Sequence, residues 1–274
     1  MTETQPKSLP GEVRRQRILT MVTTQSFVRV TDLAAAFDIS EVTVRSDLDQ
    51  LADASLIERV HGGAMMRSTD PTPGQDASEP EPSFEESVDT LALDKAAIGR
   101  FAASLVSAGD SIIIDVGTTA TAVAHALTER RDLENIVVFT SGITTAMTLE
   151  SAIPRFTVIL TGGTLRPRQH SLVNPMAGSI LEEIHADFAF IGCNGINSEQ
   201  GVTNINLPEA QIKTKMMDAA IQVVVVADGT KVGKTSVARI ARIEDVDRLV
   251  TTASSHKDAV ASLENLGVEV TVVR

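Results

Sequence analysis

The chain has 274 residues, 43% of them hydrophobic, and a formal net charge of -12. That is enough apolar material for one or two globular cores. No apolar run approaches the roughly 20 residues that cross a bilayer, and the first residues lack a signal-peptide core, so the expected location is cytoplasmic.

A single cysteine, Cys193, excludes an intramolecular disulfide, and the five scattered histidines lack ligand spacing, so neither a metal nor any other cofactor is expected. The acidic total argues against a general nucleic-acid coat. Its distribution is uneven, however: Lys7, Arg14, Arg15, Arg17 and Arg29 face only Glu3 and Glu12 in the first 31 residues, while the acid accumulates from Asp70 to Asp94.

In chain order, "EVRRQRILTMV" places Val13, Ile18, Leu19 and Val22 at helical spacing. "VTDLAAAF" predicts a second helix with Thr31 as its N-cap and Leu33, Ala34 and Phe37 facing inward. After the turn "DIS", Ser40 is placed to cap a third helix, on which Val44, Leu48 and Leu51 form one buried stripe. The other face carries Glu41, Thr43, Arg45, Ser46 and Asp49. "LIERV", "HGGA" and "MMR" then predict a hairpin.

Three helices followed by a hairpin describe a winged helix-turn-helix, whose last helix enters the DNA major groove. On that reading Arg45 faces guanine, and Ser40, Thr43 and Ser46 lie at base edges or phosphates. Arg14, Arg15 and Arg29 serve phosphates, and His61 with Gly62 forms the wing tip. The plainer alternative for Arg45 is an ion pair with Asp49, four residues on.

The segment from Leu19 to Ala64 resembles the N-terminal domain of the DeoR family of bacterial transcriptional regulators. Ser40, Thr43, Arg45, Asp47, Leu48 and the run His61-Gly62-Gly63-Ala64 match the family pattern, whereas Ser46 replaces the second arginine of its T-[IV]-R-R-D-L motif. Next comes "STDPTPGQDASEPEPSFEES", with four prolines and many acids, which reads as a linker. The expected organisation is a DNA-binding domain over 11–67, a linker over 68–90 and an α/β domain over 91–274.

Beyond the linker, "SIIIDVG", "NIVVFTS", "FTVILTGG", "DFAFIGCNG", "QVVVVADG", "RLVTT" and "VEVTVV" predict strands alternating with helices. The implied fold is a Rossmann-like α/β domain with a mainly parallel sheet, its strands buried on both faces. Ligands of such sheets bind beyond the carboxyl ends of the strands, where five loops gather small and polar residues. These loops supply Asp115, Gly117, Thr118 and Thr119; Thr140 and Ser141; Gly162 and Gly163, followed by Arg166; Asn194 and Gly195; and Lys231. One such loop is ordinary turn composition; five with arginines and lysines point to a phosphorylated small ligand.

"VVVVADGTKVGKTS" superficially suggests a nucleotide-binding P-loop, but Asp228 stands where the first glycine is required, and Gly229 is one residue too close. The body resembles the DeoR sensor domain, whose fold is related to ribose-5-phosphate isomerase and whose ligands are phosphorylated sugars or their metabolites. D-V-G-T-T matches the family's D-S-G-T-T except that Val116 replaces its serine and removes one hydroxyl contact; Lys213 falls on the family's sensor lysine, and Lys231 on its D-x-[ST]-K lysine.

The related isomerases carry adjacent acids where this chain has Asn194 and Gly195, which leaves Asp115 and Glu209 as possible bases and no residue assigned to catalysis. The resemblance implies a repressor of sugar-metabolism genes, an operator DNA partner, a phosphorylated sugar effector, and a homodimer or homotetramer with no membrane partner. The alternative is an isomerase-like enzyme carrying a DNA-binding head.

Overall fold

A computed structural model describes residues 11–25, 27–53, 57–60, 62–66 and 81–274. It divides into two compact units, Met1–Glu79 and Pro80–Arg274.

The N-terminal unit runs α1 (Gly11–Gln25), β1 (Phe27–Arg29), α2 (Val30–Phe37), α3 (Glu41–Asp53), β2 (Ile57–Val60) and β3 (Gly63–Met66). Its strands form one antiparallel sheet in the order β1-β3-β2. Ile18, Val22, Leu33, Val44, Leu48 and Leu51 are buried together, with Ala34 and Phe37 packed against them. Val13, expected on the buried stripe, is 44% exposed.

Ser40 caps α3, its hydroxyl accepting from Thr43 N–H at 3.2 Å. Thr31, by contrast, lies inside the first turn of α2 and is not its cap. Arg29 holds the cap position without a side-chain bond. The Val30 N–H, an orphan donor at this helix start, instead donates to the Gly62 carbonyl at 2.8 Å, so the wing satisfies it. β1, a three-residue strand that the sequence reading omitted, brings the chain to that point.

The C-terminal unit begins with α4 (Phe84–Val88) and α5 (Ala92–Ser104), followed by β4 (Ser111–Ile114), α6 (Thr118–Glu129), β5 (Ile136–Thr140), α7 (Ile143–Leu149) and β6 (Phe156–Leu160). A hairpin, β7 (Thr164–Arg166) and β8 (Ser171–Val173), leads to α8 (Ala177–Leu181), β9 (Ala186–Ile191), β10 (Gly195–Asn197), β11 (Gly201–Asn204) and α9 (Leu207–Asp218). The chain ends with β12 (Ala220–Val226), β13 (Ala238–Ala241), β14 (Arg248–Thr252), α10 (Lys257–Glu264) and β15 (Glu269–Val273).

All seven strands predicted for this unit form one sheet in the order β15-β14-β12-β9-β4-β5-β6, with every pairing parallel. Alternate residues serve opposite cores. Ile112, Ile114, Val224 and Val226 meet α5, α6 and α7, while Ile113, Val223 and Val225 meet α8, α9 and α10. This two-sided burial explains the unbroken Val/Ile runs. No helix among the described residues is long and apolar enough to cross a membrane.

The linker reading needs a correction at its C-terminal end. Residues 68–80 lie outside the described residues, but 81–90 belong to the C-terminal unit. Ser83 and Glu86 form a reciprocal capping box on α4, and Phe84 is buried, stacked on His170 at 5.3 Å. Gln169 donates to the Pro82 carbonyl at 2.7 Å, and His170 Nε2 lies 2.9 Å from Glu85. An acidic, proline-bearing composition hid a segment fixed by one aromatic anchor and a helix cap.

Candidate functional site

A cavity of about 390 Å³ opens at the carboxyl ends of the central strands. It is lined by the loops after β4, β9 and β12, by α9, and by residues 81–95. The strand order explains why three of the five predicted loops meet there: β12, β9 and β4 are neighbours, while β5 and β6 lie toward one edge.

Gly117, Thr118, Thr119, Asn194, Lys213 and Lys231 line the cavity. Thr140, Ser141, Gly162, Gly163, Arg166 and Gly195 do not. The Thr140 hydroxyl accepts from Gly142 N–H at 3.0 Å, and the Ser141 carbonyl accepts from Leu172, so this loop supports the β7–β8 hairpin. A Cβ on Gly163 (φ +124) would stand 2.3 Å from the Val173 carbonyl oxygen, and one on Gly195 would stand 2.6 Å from that of Lys234. Both glycines therefore permit close backbone packing.

Asp115 lies beneath the cavity floor. It is 1% exposed and accepts from Lys213 Nζ at 2.5 Å and from Gly192 N–H at 2.9 Å. Lys213 also donates to the Gly192 carbonyl at 2.9 Å. Burial pulls the Lys213 ammonium down, but the carboxylates of Asp115 and Glu209 more than offset it and leave it above the ordinary lysine value. Arg166 bridges two buried carboxylates, Glu209 at 2.7 Å and Glu81, and Ser171 adds a bond to Glu209 at 2.5 Å.

The anion-attracting end lies around α6. This helix starts on Gly117 (φ 93) with no side-chain cap, so the N–H groups of its first turn remain available. Lys95 and Lys231 line the same cavity. Lys95, 7% exposed, donates to the Ser87 carbonyl at 2.6 Å, and among the described residues neither lysine forms an ion pair. Burial pushes the Lys95 ammonium below its usual value.

Lys95 escaped the sequence reading because a lone lysine near the start of a helix reads as a solvated charge. In the look-alike P-loop, Asp228 instead caps a short turn, accepting from Thr230 N–H at 2.9 Å; Lys231 lines the cavity and Lys234 is exposed outside it. Burial pushes the Cys193 thiol up to about 12, which suits a packing role rather than a nucleophile. No cluster of metal-ligating side chains occurs among the described residues.

In the N-terminal unit, the exposed face of α3 presents Arg45, Ser46 and Asp49, joined by Val42 at 74% exposure. Arg45 pairs with Glu41 at 3.0 Å, and the Thr43 hydroxyl lies 2.9 Å from Ser40 Oγ. Arg29 is exposed at the start of α2, and Gly62 (φ 84) is exposed in the wing turn. His61 lies outside the described residues.

Arg14 and Arg15, read from sequence as phosphate contacts, both reach the buried Asp47. Arg14 forms a fork at 2.5 and 3.1 Å, and Arg15 approaches to 3.4 Å. The two arginines thereby tie α1 to α3. Sequence spacing could not show this pairing, because Asp47 lies on the buried stripe between Val44 and Leu48.

Residues 14–70 match the DeoR-like helix-turn-helix domain, and residues 92–253 match the DeoR C terminal sensor domain. The HTH-type transcriptional regulator YulB of Bacillus subtilis is 33% identical, covering 95% of this chain and 96% of that protein. The HTH-type transcriptional regulator GolR of Listeria innocua is 30% identical, covering 94% and 97%. The glycerol-3-phosphate regulon repressor of Escherichia coli is 30% identical, covering 88% and 90%. Among solved structures, ribose 5-phosphate isomerase A from Methanocaldococcus jannaschii aligns at a TM-score of 0.37 and 18% identity, covering 50% and 52%.

Proposed function

The chain belongs to the DeoR family of helix-turn-helix transcriptional regulators, and from that premise we propose that its C-terminal cavity binds a phosphorylated sugar or polyol that controls operator binding by the N-terminal unit. The observation that carries this reading is the meeting of Lys95, Lys231 and the uncapped start of α6 in one cavity. A phosphate ester placed there receives helix N–H donors and two cations that the protein leaves without an ion pair.

Several relatives are repressors by name, among them the glycerol-3-phosphate regulon repressor and CsqR of Escherichia coli. The reading for this chain is accordingly a repressor that its effector releases from DNA. A ligand produces such a switch only by binding one state more tightly than the other. On the DNA side, Arg45, Ser46, Thr43 and Val42 are assigned to the major groove, and Arg29 and Gly62 to the backbone. A palindromic operator would engage two copies.

Binding without turnover is favoured by the local chemistry. Asp115 is committed to Lys213 and Gly192, Glu209 to Arg166 and Ser171, and Asn194 Oδ1 accepts from Ile205 N–H at 3.0 Å. None of these groups is left poised to move a proton beside a carbonyl.

Thermal unfolding of the full chain with sugar phosphates, the matching free sugars and ATP tests the proposal. A ligand at a hundred times its Kd adds about 2.7 kcal/mol. Stabilisation by a sugar phosphate but not by its free sugar, and its loss in K95A and K231A, is the expected result; stabilisation by ATP alone would restore the P-loop reading.

A further inference from the structure

The cavity is charged asymmetrically. Lys95 and Lys231 occupy one end, with the buried carboxylate of Asp228 near them; the other is walled by Glu81 and Glu209, 6% and 4% exposed, which share the guanidinium of Arg166. Arg168 also acts on Glu81, but neither arginine lines the cavity, so this end presents carboxylates. Lys213, which does line it, is held by Asp115 and also feels Glu209. Glu86 adds a further carboxylate to the lining: its Oε2 accepts from Ser83 N–H at 2.7 Å, while its buried Oε1 has no hydrogen-bond partner among the described residues.

The two ends are electrostatically distinct. Burial pushes the Glu81 carboxyl above its usual value, opposed by Arg166, and pushes the Lys95 ammonium below its own, opposed by Asp228.

We propose that Glu81 sets the ligand specificity of this cavity, selecting compounds with one phosphate ester at the lysine end and neutral hydroxyl groups at the other, and rejecting those with a second phosphate or a carboxylate there. The inference rests on the sensor reading above and narrows it to a class of ligand. Hydroxyl groups donate to carboxylates, whereas a second anion meets like charge in a partly dehydrated site whose lining carries neither Arg166 nor Arg168. Glu81 belongs to the segment that composition alone assigns to the linker, so specificity comes from outside the strand-end loops.

The test uses the full chain and calorimetric titration with two matched pairs: fructose 6-phosphate against fructose 1,6-bisphosphate, and glucose 6-phosphate against 6-phosphogluconate. The comparison variant is Glu81→Gln, which leaves Arg166 paired with Glu209; Glu81→Ser removes the same charge should the first variant fail to fold. The wild type is expected to favour the singly anionic member by roughly tenfold or more, and loss of the Glu81 charge is expected to narrow that gap by about tenfold while changing affinity for the singly anionic member less.

Equal affinity for both members in the wild type, or an unchanged gap in the variants, overturns the specificity role and leaves the sensor reading standing. If no phosphorylated compound binds the wild type, the sensor reading and this inference fall together.

Discussion

Replacing Lys213 by methionine would leave the Asp115 carboxylate buried without its cation. The two side chains are 5% and 1% exposed and 2.5 Å apart, and Asp115 would keep only backbone donors such as Gly192 N–H. Breaking a buried pair from one side costs about 3–5 kcal/mol, a large part of a typical domain's stability. The double variant D115N/K213M removes both charges and should regain most of that loss, because the pair itself is close to neutral against a well-packed uncharged replacement.

Burial already pushes Asp115 above its usual value. In K213M its folded pKa therefore exceeds its unfolded one. The deficit is full above the folded pKa and shrinks as pH falls through it. Calorimetry, or urea denaturation followed by far-UV circular dichroism, suits a chain with no Trp and no Tyr. A K213M deficit below about 1 kcal/mol, or a double variant no more stable than the single one, would refute the account of the pair.

Other consequences concern both units. Asp47→Asn should destabilise the N-terminal unit by about 1–3 kcal/mol through loss of the charged acceptor shared by Arg14 and Arg15, read as an earlier unfolding transition. R45A should weaken specific operator binding by about 1–3 kcal/mol if Arg45 reads a base; an unchanged affinity in a titration with operator DNA removes that assignment. Lys231→Ala should lower sugar-phosphate affinity at least about tenfold, whereas Lys234→Ala, outside the cavity, should not. Because burial lowers the Lys95 ammonium, affinity should fall as pH rises from neutral toward the ordinary lysine value of 10.5, and K95A should flatten that profile.

The strands of the parallel sheet were legible because burial on both faces demands continuous Val/Ile runs, as in "VVVVADG" and "SIIIDVG". Their lateral order was not, since nothing local distinguishes a central strand from an edge strand. That order decides that Gly117, Asn194 and Lys231 meet while Thr140 and Gly162 stay outside. The stripe Val44, Leu48 and Leu51 was visible at helical spacing, but the recruitment of Arg14 and Arg15 to Asp47 depends on how α1 packs against α3. Ser83-x-x-Glu86 has the spacing of a capping box, but a composition rich in proline and acid reads as linker and does not reveal it. Glu81 and Lys95 left no sequence signal, because their burial is imposed by partners distant in the chain.

Coupling between the cavity and DNA is tested by selecting genomic DNA fragments bound by the full chain, then titrating the tightest fragment with and without each phosphorylated compound that stabilises the protein. One such compound is expected to lower operator affinity while its unphosphorylated counterpart does not, and the shift is expected to disappear in K95A. Undiminished operator affinity at saturating concentrations of every cavity ligand would refute effector control through this cavity.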